Sequence, residues 1–324
     1  MPAYLPSAWF VPALVLAIVA ATVAGGRALT RHASLRVVRS AGWSSLVVGS
    51  VAIERALAAE PPGVRMLSLV AFAMVVLKAL VIGEARARGV PLLGPLRFLA
   101  FTLAWPGMRP ELFVARTAVP ESQTAVLFRR GAFQLALGAA ALVAARALWG
   151  DKRSELLTTS LLLVGISLVL HFGLLSLLAA GFRRAGVACE ALFRAPLLSE
   201  SLSEFWSRRW NIAFSEMTAL VVYRPLGERF GRAPALVAGF ALSGFLHELA
   251  ISAPVRAGFG LPSAYFALHA LGVSIERWRR RVGRPVSGWS GRVWTLAWVI
   301  LPLPLLFHGR FVEGVLWPLL GVSR

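Results

Sequence analysis

Long apolar runs, separated by short stretches rich in arginine, make up most of the pattern of hydrophobic and polar positions along the chain. A helix needs about 20 mostly apolar residues to cross roughly 30 Å of hydrocarbon. Runs near that length lie at residues 8–25, 42–58, 66–82, 90–106, 132–149, 156–180, 234–253, 259–275, 293–307 and 311–320. The pattern predicts an all-α, polytopic transmembrane helical bundle of about 8–10 spans, a single membrane domain over residues 1–324.

Some of these runs are weaker candidates for spans than others. The second, the fourth and the last two are short or carry charge, as Glu54 and Arg55 do in the second run. Pro302 and Pro304 each remove a backbone donor, so we expect them to kink their helix or to mark a re-entrant segment.

The arginines bear on the orientation in the membrane. The uncharged N-terminus, followed by Arg27, Arg31, Arg36 and Arg39 after the first run, is expected outside, because cytoplasmic connections are enriched in positive charge. Counting the strong spans forward then puts the basic residues 183–232 outside as well, which breaks the same rule. One weak run is therefore expected not to cross the membrane.

Composition agrees with a lipid solvent. The chain is 57% hydrophobic and 15% charged, whereas about a quarter of an ordinary soluble domain is charged. The net charge of +19 raises the alternative of nucleic-acid binding. However, the arginines stand at the ends of apolar runs, where anionic head groups attract them, so membrane lipids and not nucleic acid are the expected partners.

Lysine and cysteine are scarce. Lys78 and Lys152 are the only lysines, and with abundant alanine this favours a GC-rich bacterial genome and an inner-membrane location. The single cysteine, Cys189, excludes an internal disulfide, a zinc cluster and a CxxC redox motif. No histidine spacing indicates a metal site, so neither a metal nor a cofactor is expected.

The connection between the sixth run and Pro234 carries helix signals instead of loop signals. It is about fifty residues long, and structureless loops of that length are uncommon. Ser201 and Glu204 form an S-x-x-E capping box. The helix that follows has an apolar face and a polar face. The apolar positions are Phe214, Met217 and Val221, and the polar positions are Asn211, Ser215 and Thr218.

One polar stretch, LSGFLHE at residues 242–248, interrupts an apolar helix with His247 and Glu248. Ionisable side chains are costly inside a membrane and by default face a bundle interior or a water-filled cavity. Ser243 lies one turn before His247, and Gly244 leaves room for a close approach. A desolvated, neutral imidazole can accept a proton from a hydroxyl. The alternative is a buried histidine bonded to a backbone carbonyl.

The second polar stretch is EFWSRRWN at residues 204–211. The Asn211 amide can donate to a carbonyl oxygen or orient an acceptor hydroxyl, although an interfacial polar residue is the simpler reading. Arg208 and Arg209 can grip phosphates or pair with lipid head groups. Trp206 and Trp210 suit the interface, where aromatic rings lie at head-group depth.

The other histidines are weaker candidates. His171 and His269 lie within apolar runs, so either can face the same cavity as His247. His32 and His308 lie near the ends of runs, where an interfacial role is sufficient.

Taken in chain order, with residues 204–211 before residues 242–248, the two stretches resemble the wax synthase branch of the membrane-bound O-acyltransferase superfamily. The resemblance is carried by FWSRRWN at 205–211, YRP at 223–225 and SGFLHE at 243–248, and WPGM at 105–108 resembles an upstream stretch. It covers residues 194–280, about a quarter of the chain, which it implies are the catalytic core. Ser207 departs from the glycine that plant relatives often carry.

The resemblance implies helices around a buried tunnel, in which an acyl group passes from acyl-CoA, the co-substrate, to the hydroxyl of a lipophilic alcohol, giving a wax ester. It implies that His247 is the catalytic base and Asn211 a second active-site residue. The substrate-binding residues that we expect beside them are Trp206, Arg208, Arg209, Trp210, Arg224, Ser243 and Glu248, with the arginines near the CoA phosphates.

Two alternatives stay open. The acceptor can be a sterol, a glycerolipid or a secondary metabolite instead of a fatty alcohol. The chain can also be a transporter or scaffold in which His247 and Glu248 relay protons or pack. Transporters often contain paired broken helices in two related halves, and the sequence shows no such internal symmetry.

Overall fold

The computed structural model of the chain describes residues 3–150 and 155–322, and the regular structure of these residues is helical throughout. The all-α prediction is confirmed. The helices of the first half are α1 (Val11–His32), α2 (Leu35–Ser44, a π turn at Ser45–Gly49, then Ser50–Ala56), α3 (Pro62–Ala87), α4 (Pro95–Ala104), α5 (Glu121–Ala147) and α6 (Glu155–Arg184).

The second half is built from shorter and more broken helices. They are α7 (Leu202–Glu204 with the π turn Phe205–Arg209), α8 (Ile212–Thr218, Ala219–Tyr223 and Arg224–Phe230 in one run), α9 (Arg232–Val255), α10 (Leu261–Arg281), α11 (Gly288–Leu306) and α12 (Gly309–Leu319). Residues 201–230, predicted to be helical and not a loop, are α7 and α8.

Five of these helices, α1, α3, α5, α6 and α9, are long and apolar enough to cross a membrane. α11 and α12 make a sixth if they count as one span, bent by 69° just after Pro302 and Pro304, as those prolines predict. The protein is therefore an integral, multi-pass membrane protein. The number of candidate spans is lower than the number of apolar runs because α2 and α10 carry several charged residues and α4 is short.

The run at residues 90–106 does not form a span. Its only helix, α4, is short, and its two flanks are held by other parts of the fold. Within α4, the Arg97 guanidinium donates to the Val114 carbonyl. After α4, the Lys78 ammonium, in the middle of α3, donates to the carbonyls of Trp105 (2.7 Å) and Gly107. These bonds satisfy irregular backbone, which a re-entrant segment inside a membrane would require.

Ion pairs and backbone bonds define two ends of the bundle. At one end Glu54 binds Arg65 (2.6 Å) and Arg256 (3.0 Å), and the Gly63 amide donates to the Ala3 carbonyl (2.9 Å). At the other end, called the basic end below, three pairs join the helix termini. They are Arg39–Glu84 (2.5 Å), Arg88–Glu111 (3.2 Å) and Arg184–Glu121 (3.0 Å).

The arrangement bears on the orientation. α1, α2, α3, α5 and α6 run between the two ends in turn, although α2 is not among the five candidate spans, so the N-terminus and residues 183–232 lie at opposite ends. The Thr117 amide donates to the Gly186 carbonyl (2.9 Å), which ties the end of α6 to the loop after α4. The positive-inside rule predicts that the basic end lies on the cytoplasmic side.

Close packing of α9 against α10 positions the residues that carry chemistry. A Cβ atom at Gly244 would lie 3.0 Å from the Ser263 Cα, so only glycine allows the two helices to approach this closely. The hydrophobic core on this side includes Phe240, Tyr265 and Phe266, all buried.

Candidate active site

His247 sits in α9 with one ring nitrogen already bonded. Its Nδ1 lies 2.7 Å from the Ser243 carbonyl oxygen, one turn earlier in the helix. Because a carbonyl only accepts, Nδ1 carries the proton, and in a neutral ring Nε2 then has a free lone pair. The backbone bond that the alternative interpretation predicts is present, and it fixes the orientation of the ring.

Glu248, the next residue, is committed to the start of α10. Its Oε1 accepts hydrogen bonds from the Gly260 amide (3.0 Å), the Ser263 amide (3.0 Å) and the Ser263 hydroxyl (2.8 Å). A carboxylate at a helix N-terminus satisfies amides that have no partner within the helix. Glu248 therefore joins α9 to α10 and fixes His247 relative to the second helix.

A cavity of about 390 Å³ lies between α7, α8, α9 and α10. Its wall is mainly apolar and aromatic with a few polar groups, the usual character of a small-molecule site. The side chains that line it include Trp206, Ser207, Thr218, Tyr223, Phe240, Ser243 and Arg277. Ser207 and Arg277 lie towards the basic end, and Ser243 lies one turn from His247.

His247 and Asn211 are not among the residues that line this cavity. The Phe266 ring contacts the His247 imidazole, with ring centroids 4.5 Å apart, and the Trp206 indole, with centroids 5.6 Å apart. The structure thus brings Trp206, Ser243 and His247 into one neighbourhood, with Phe266 in contact with both rings.

Asn211 has a structural task at the start of α8. Its backbone is left-handed, with φ +45°, and its side-chain oxygen accepts from the Phe214 amide at 3.2 Å. This is an N-cap, which asparagine fills well and which its tolerance of the left-handed region assists. An asparagine directly before the apolar helix that begins at Ile212 is a local cap signal that the sequence already carried.

The arginines of the same stretch differ in their surroundings. Arg209 binds Glu204 at 2.7 Å and also donates to the Ala195 carbonyl, whereas Arg208 is exposed. The predicted cap is present, since the Ser201 hydroxyl accepts from the Glu204 amide at 3.1 Å, but the Glu204 carboxylate reaches back to the Glu200 amide (2.9 Å), one residue further than expected.

Glu204 therefore lies among donors and positive charges. Burial raises the pKa of its carboxyl, but the hydrogen bonds from Glu200 and Arg209 and the charges of Arg209 and Arg208 outweigh burial and leave the pKa below its ordinary value.

Trp210 belongs to an aromatic cluster outside the cavity. Its indole stacks on Phe205, with centroids 5.6 Å apart and planes 10° apart, and packs edge-on against Phe193 at 4.9 Å. His171 joins this cluster by stacking on Phe193 at 4.5 Å. His171 thus packs beside Trp210 and does not line the cavity.

His269 packs on the cavity side of α7. It is fully buried, its Nδ1 lies 2.8 Å from the Tyr265 carbonyl oxygen, and its ring stands perpendicular to that of Trp206 with centroids 5.1 Å apart. It therefore touches a residue that lines the cavity without lining it itself.

Arg224 lines a different cavity, of about 320 Å³, together with Arg88 and Arg109 at the basic end. Ala219 borders both cavities, so α8 separates them. Sequence reasoning did not single out Phe266 or Arg277 as parts of a site. Thr218 had a usable signal, because it shares the polar face of α8 with Ser215, which also lines the first cavity.

Comparisons with known proteins match this part of the chain. Residues 189–268 match the model of the Membrane bound O-acyl transferase family. The Long-chain-alcohol O-fatty-acyltransferase of Simmondsia chinensis is 32% identical over 139 residues, which are 36% of this chain and 38% of that protein. The Acyl-CoA--sterol O-acyltransferase 1 of Arabidopsis thaliana is 30% identical over 108 residues, 31% of each chain.

A further relative is the Probable long-chain-alcohol O-fatty-acyltransferase 1 of Arabidopsis thaliana, 31% identical over 118 residues, which are 32% of this chain and 35% of that protein. The chain thus matches about a third of the length of these curated relatives. Over this part of its length the chain is therefore similar to the membrane-bound O-acyltransferase family and to its long-chain-alcohol and sterol acyltransferases, and both polar stretches lie within the matched residues.

Proposed function

We propose that the protein transfers a fatty acyl group from acyl-CoA to the hydroxyl of a lipophilic alcohol, with His247 as the general base. The observation that carries this proposal is the bond from His247 Nδ1 to the Ser243 carbonyl, which leaves Nε2 as a proton acceptor in an otherwise apolar helix. The names of the matched relatives support the class of reaction.

The reaction needs no group beyond the two substrates and the protein. His247 Nε2 accepts the hydroxyl proton as the alcohol oxygen attacks the thioester carbonyl carbon. The carbon–sulfur bond then breaks, and the leaving thiolate takes the proton from His247 to give free CoA and the ester. Asn211 positions the thioester or the alcohol through its amide nitrogen, since its oxygen is engaged in the cap. A thioester is already activated, so we expect no metal.

Acyl-CoA reaches this site from the basic end. The exposed Arg208 and the half-buried Arg277 stand near the cavity and suit the CoA phosphates, and Arg224 offers a further cation on the other side of α8. The apolar wall shelters the acyl chain, where each buried methylene contributes about 0.8 kcal/mol. Phe266 must shift for the reacting groups to meet at His247.

A fatty alcohol is the acceptor that we favour, because long-chain-alcohol acyltransferases are prominent among the matched relatives. A sterol is the second candidate, supported by the sterol acyltransferase among them. Glycerolipids and secondary metabolites complete the panel of alcohols to be compared. The arginine-rich, lysine-poor composition supports a bacterial inner membrane as the location.

The proposal is tested by incubating purified wild-type protein in lipid nanodiscs with a long-chain acyl-CoA and each alcohol, and measuring ester and free CoA. We expect ester from at least one lipophilic alcohol, and a loss of about 10²–10⁴-fold in kcat for His247→Ala, the usual contribution of general acid–base catalysis. Size-exclusion profiles must show that the variant is folded.

Full turnover in His247→Ala would reject the assigned base. If the wild type consumes no acyl-CoA with any alcohol, but moves protons in vesicles when a substrate is added, the transporter alternative is the better account.

A further inference from the structure

We propose that the indole N–H of Trp206 donates the hydrogen bond that stabilises the oxyanion formed during acyl transfer. This rests on the proposed function and adds a catalytic residue to it. Trp206 lines the cavity, and its Nε1 is buried without a hydrogen-bond partner among the described residues. Buried donors are nearly always paired in proteins, so an unpaired donor on a residue that lines a cavity is a candidate to bind an acceptor on a ligand.

The backbone of α7 holds Trp206 firmly in place. The capping box of Ser201 and Glu204 starts the helix, and the Ser215 hydroxyl of α8 donates to the Trp206 carbonyl. The indole ring packs against Phe240 with centroids 6.1 Å apart and against Phe266 with centroids 5.6 Å apart. A donor fixed in this way costs little reorganisation during the reaction, which is what makes preorganised donors effective.

The chemistry of the indole limits which ligand atoms can bind to it. An indole nitrogen donates and cannot accept, so its partner is an oxygen with a lone pair. Phe240 and Phe266, the two phenylalanine rings that pack against Trp206, provide no such atom. The carbonyl oxygen of an acyl thioester provides it, and this oxygen gains negative charge as the alcohol adds to the carbon.

The donor and the base both contact one side chain, Phe266. Phe266 contacts both the His247 and the Trp206 rings, and Ser243 both lines the cavity and accepts the hydrogen bond from His247. When the alcohol oxygen bonds to the carbonyl carbon, its proton passes to His247 Nε2 and the carbonyl electron pair passes to the oxygen that Trp206 holds. Collapse restores the carbonyl, breaks the carbon–sulfur bond and returns the proton to the thiolate.

Asn211 is less well placed for this task. Its side-chain oxygen caps α8, and the residue does not line the cavity. Other acceptors lie in the same region: Thr218 lines the cavity and His269 packs against the indole, and neither Thr218 Oγ1 nor His269 Nε2 has a partner among the described residues. If Trp206 instead donates to His269 during motion, its N–H serves stability and not catalysis, and the experiment separates the two.

The test compares Trp206→Phe with Trp9→Phe, because Trp9 is 90% exposed, packs edge-on against Phe10 and does not line the cavity. We expect Trp206→Phe to lower kcat by about 10²–10³-fold, as loss of one oxyanion donor does elsewhere. KM for acyl-CoA should change little, and Trp9→Phe should keep the wild-type kcat.

A second replacement removes the donor while keeping the shape. Incorporating the benzothiophene analogue of tryptophan at position 206 exchanges the N–H for sulfur, and it should reproduce the loss in kcat with a wild-type melting temperature. The inference is overturned if either variant keeps its kcat, if the loss lies wholly in KM, or if only the melting temperature falls, which assigns the N–H to His269. A wild type without transfer activity would instead reject the proposed function.

Discussion

The two polar stretches differ in how many hydrogen-bonding groups they leave free. In residues 242–248, on α9, the His247 imidazole keeps one free nitrogen. In residues 204–211, at α7 and the start of α8, most polar side chains are bonded within the fold. Glu204 binds Arg209 and the Glu200 amide, and Asn211 caps α8. In the α9 stretch Glu248 is used in this way at the start of α10, and the Ser243 hydroxyl donates to the Gly239 carbonyl at 3.3 Å.

The difference shows that two stretches that are both rich in polar residues can contribute differently to a site. His247 is bonded through one nitrogen to its own helix, which leaves the other nitrogen available. The carboxylate of Glu204 and the amide oxygen of Asn211 are occupied, whereas the indole N–H of Trp206 is buried without a partner among the described residues. A polar group can act on a substrate only if the fold leaves part of its hydrogen-bonding capacity unused.

The largest effect on stability is expected at Glu248. Glu248→Ala removes three hydrogen bonds that hold the start of α10 and should lower the free energy of unfolding by about 3 kcal/mol. Glu248→Gln keeps an acceptor oxygen and should lose less than half of this. Denaturant unfolding in detergent micelles measures both variants. Equal stability of Glu248→Ala and the wild type would mean that the carboxylate is free to act on substrate. The contrast drawn above between His247 and Glu248 would then be wrong.

An intermediate effect is expected at Asn211. Asn211→Ala loses the cap and places an alanine, which has no polar side chain, at φ +45°. It should therefore lower the free energy of unfolding by about 2 kcal/mol. Asn211→Asp keeps the capping oxygen and should unfold like the wild type. Transfer assays of this folded variant then show whether the amide N–H₂ is needed. Wild-type kcat would restrict Asn211 to the cap, and a large loss would support its role at the thioester or the alcohol.

The smallest effect concerns pH and Glu204. The pKa of this carboxyl in the folded protein lies below its ordinary value, so its contribution to stability is complete above the unfolded pKa of about 4.3 and is lost as the pH falls through the folded value. The contribution is about 0.5–1 kcal/mol, since the Arg209 pair is partly exposed. The difference in melting temperature between wild type and Glu204→Gln should therefore shrink between pH 6 and pH 3, roughly the span of that titration. A constant difference would contradict this.

Several features could be read from the chain because they depend on local physics. Runs of about 20 apolar residues predict helices in lipid. The Ser201 cap and the Pro302–Pro304 bend follow from local backbone chemistry, and His247 stands out as an ionisable group in an apolar run. The fourth run was among the weaker candidates, but its apolar composition alone could not show that it forms a short helix whose end is bonded by Lys78 of another helix.

The sequence by itself determined that this protein is a bundle of helices in a membrane, and its motifs pointed to the family and to His247. Only the tertiary structure decided that Glu248 ties α9 to α10, that the 90–106 run turns back, and that Trp206 and not Trp210 faces the cavity. The reason is physical. Apolar length and local caps act between neighbours in the chain, whereas the hydrogen bonds that occupy or spare a side chain join residues that are distant in sequence and meet only in the folded bundle.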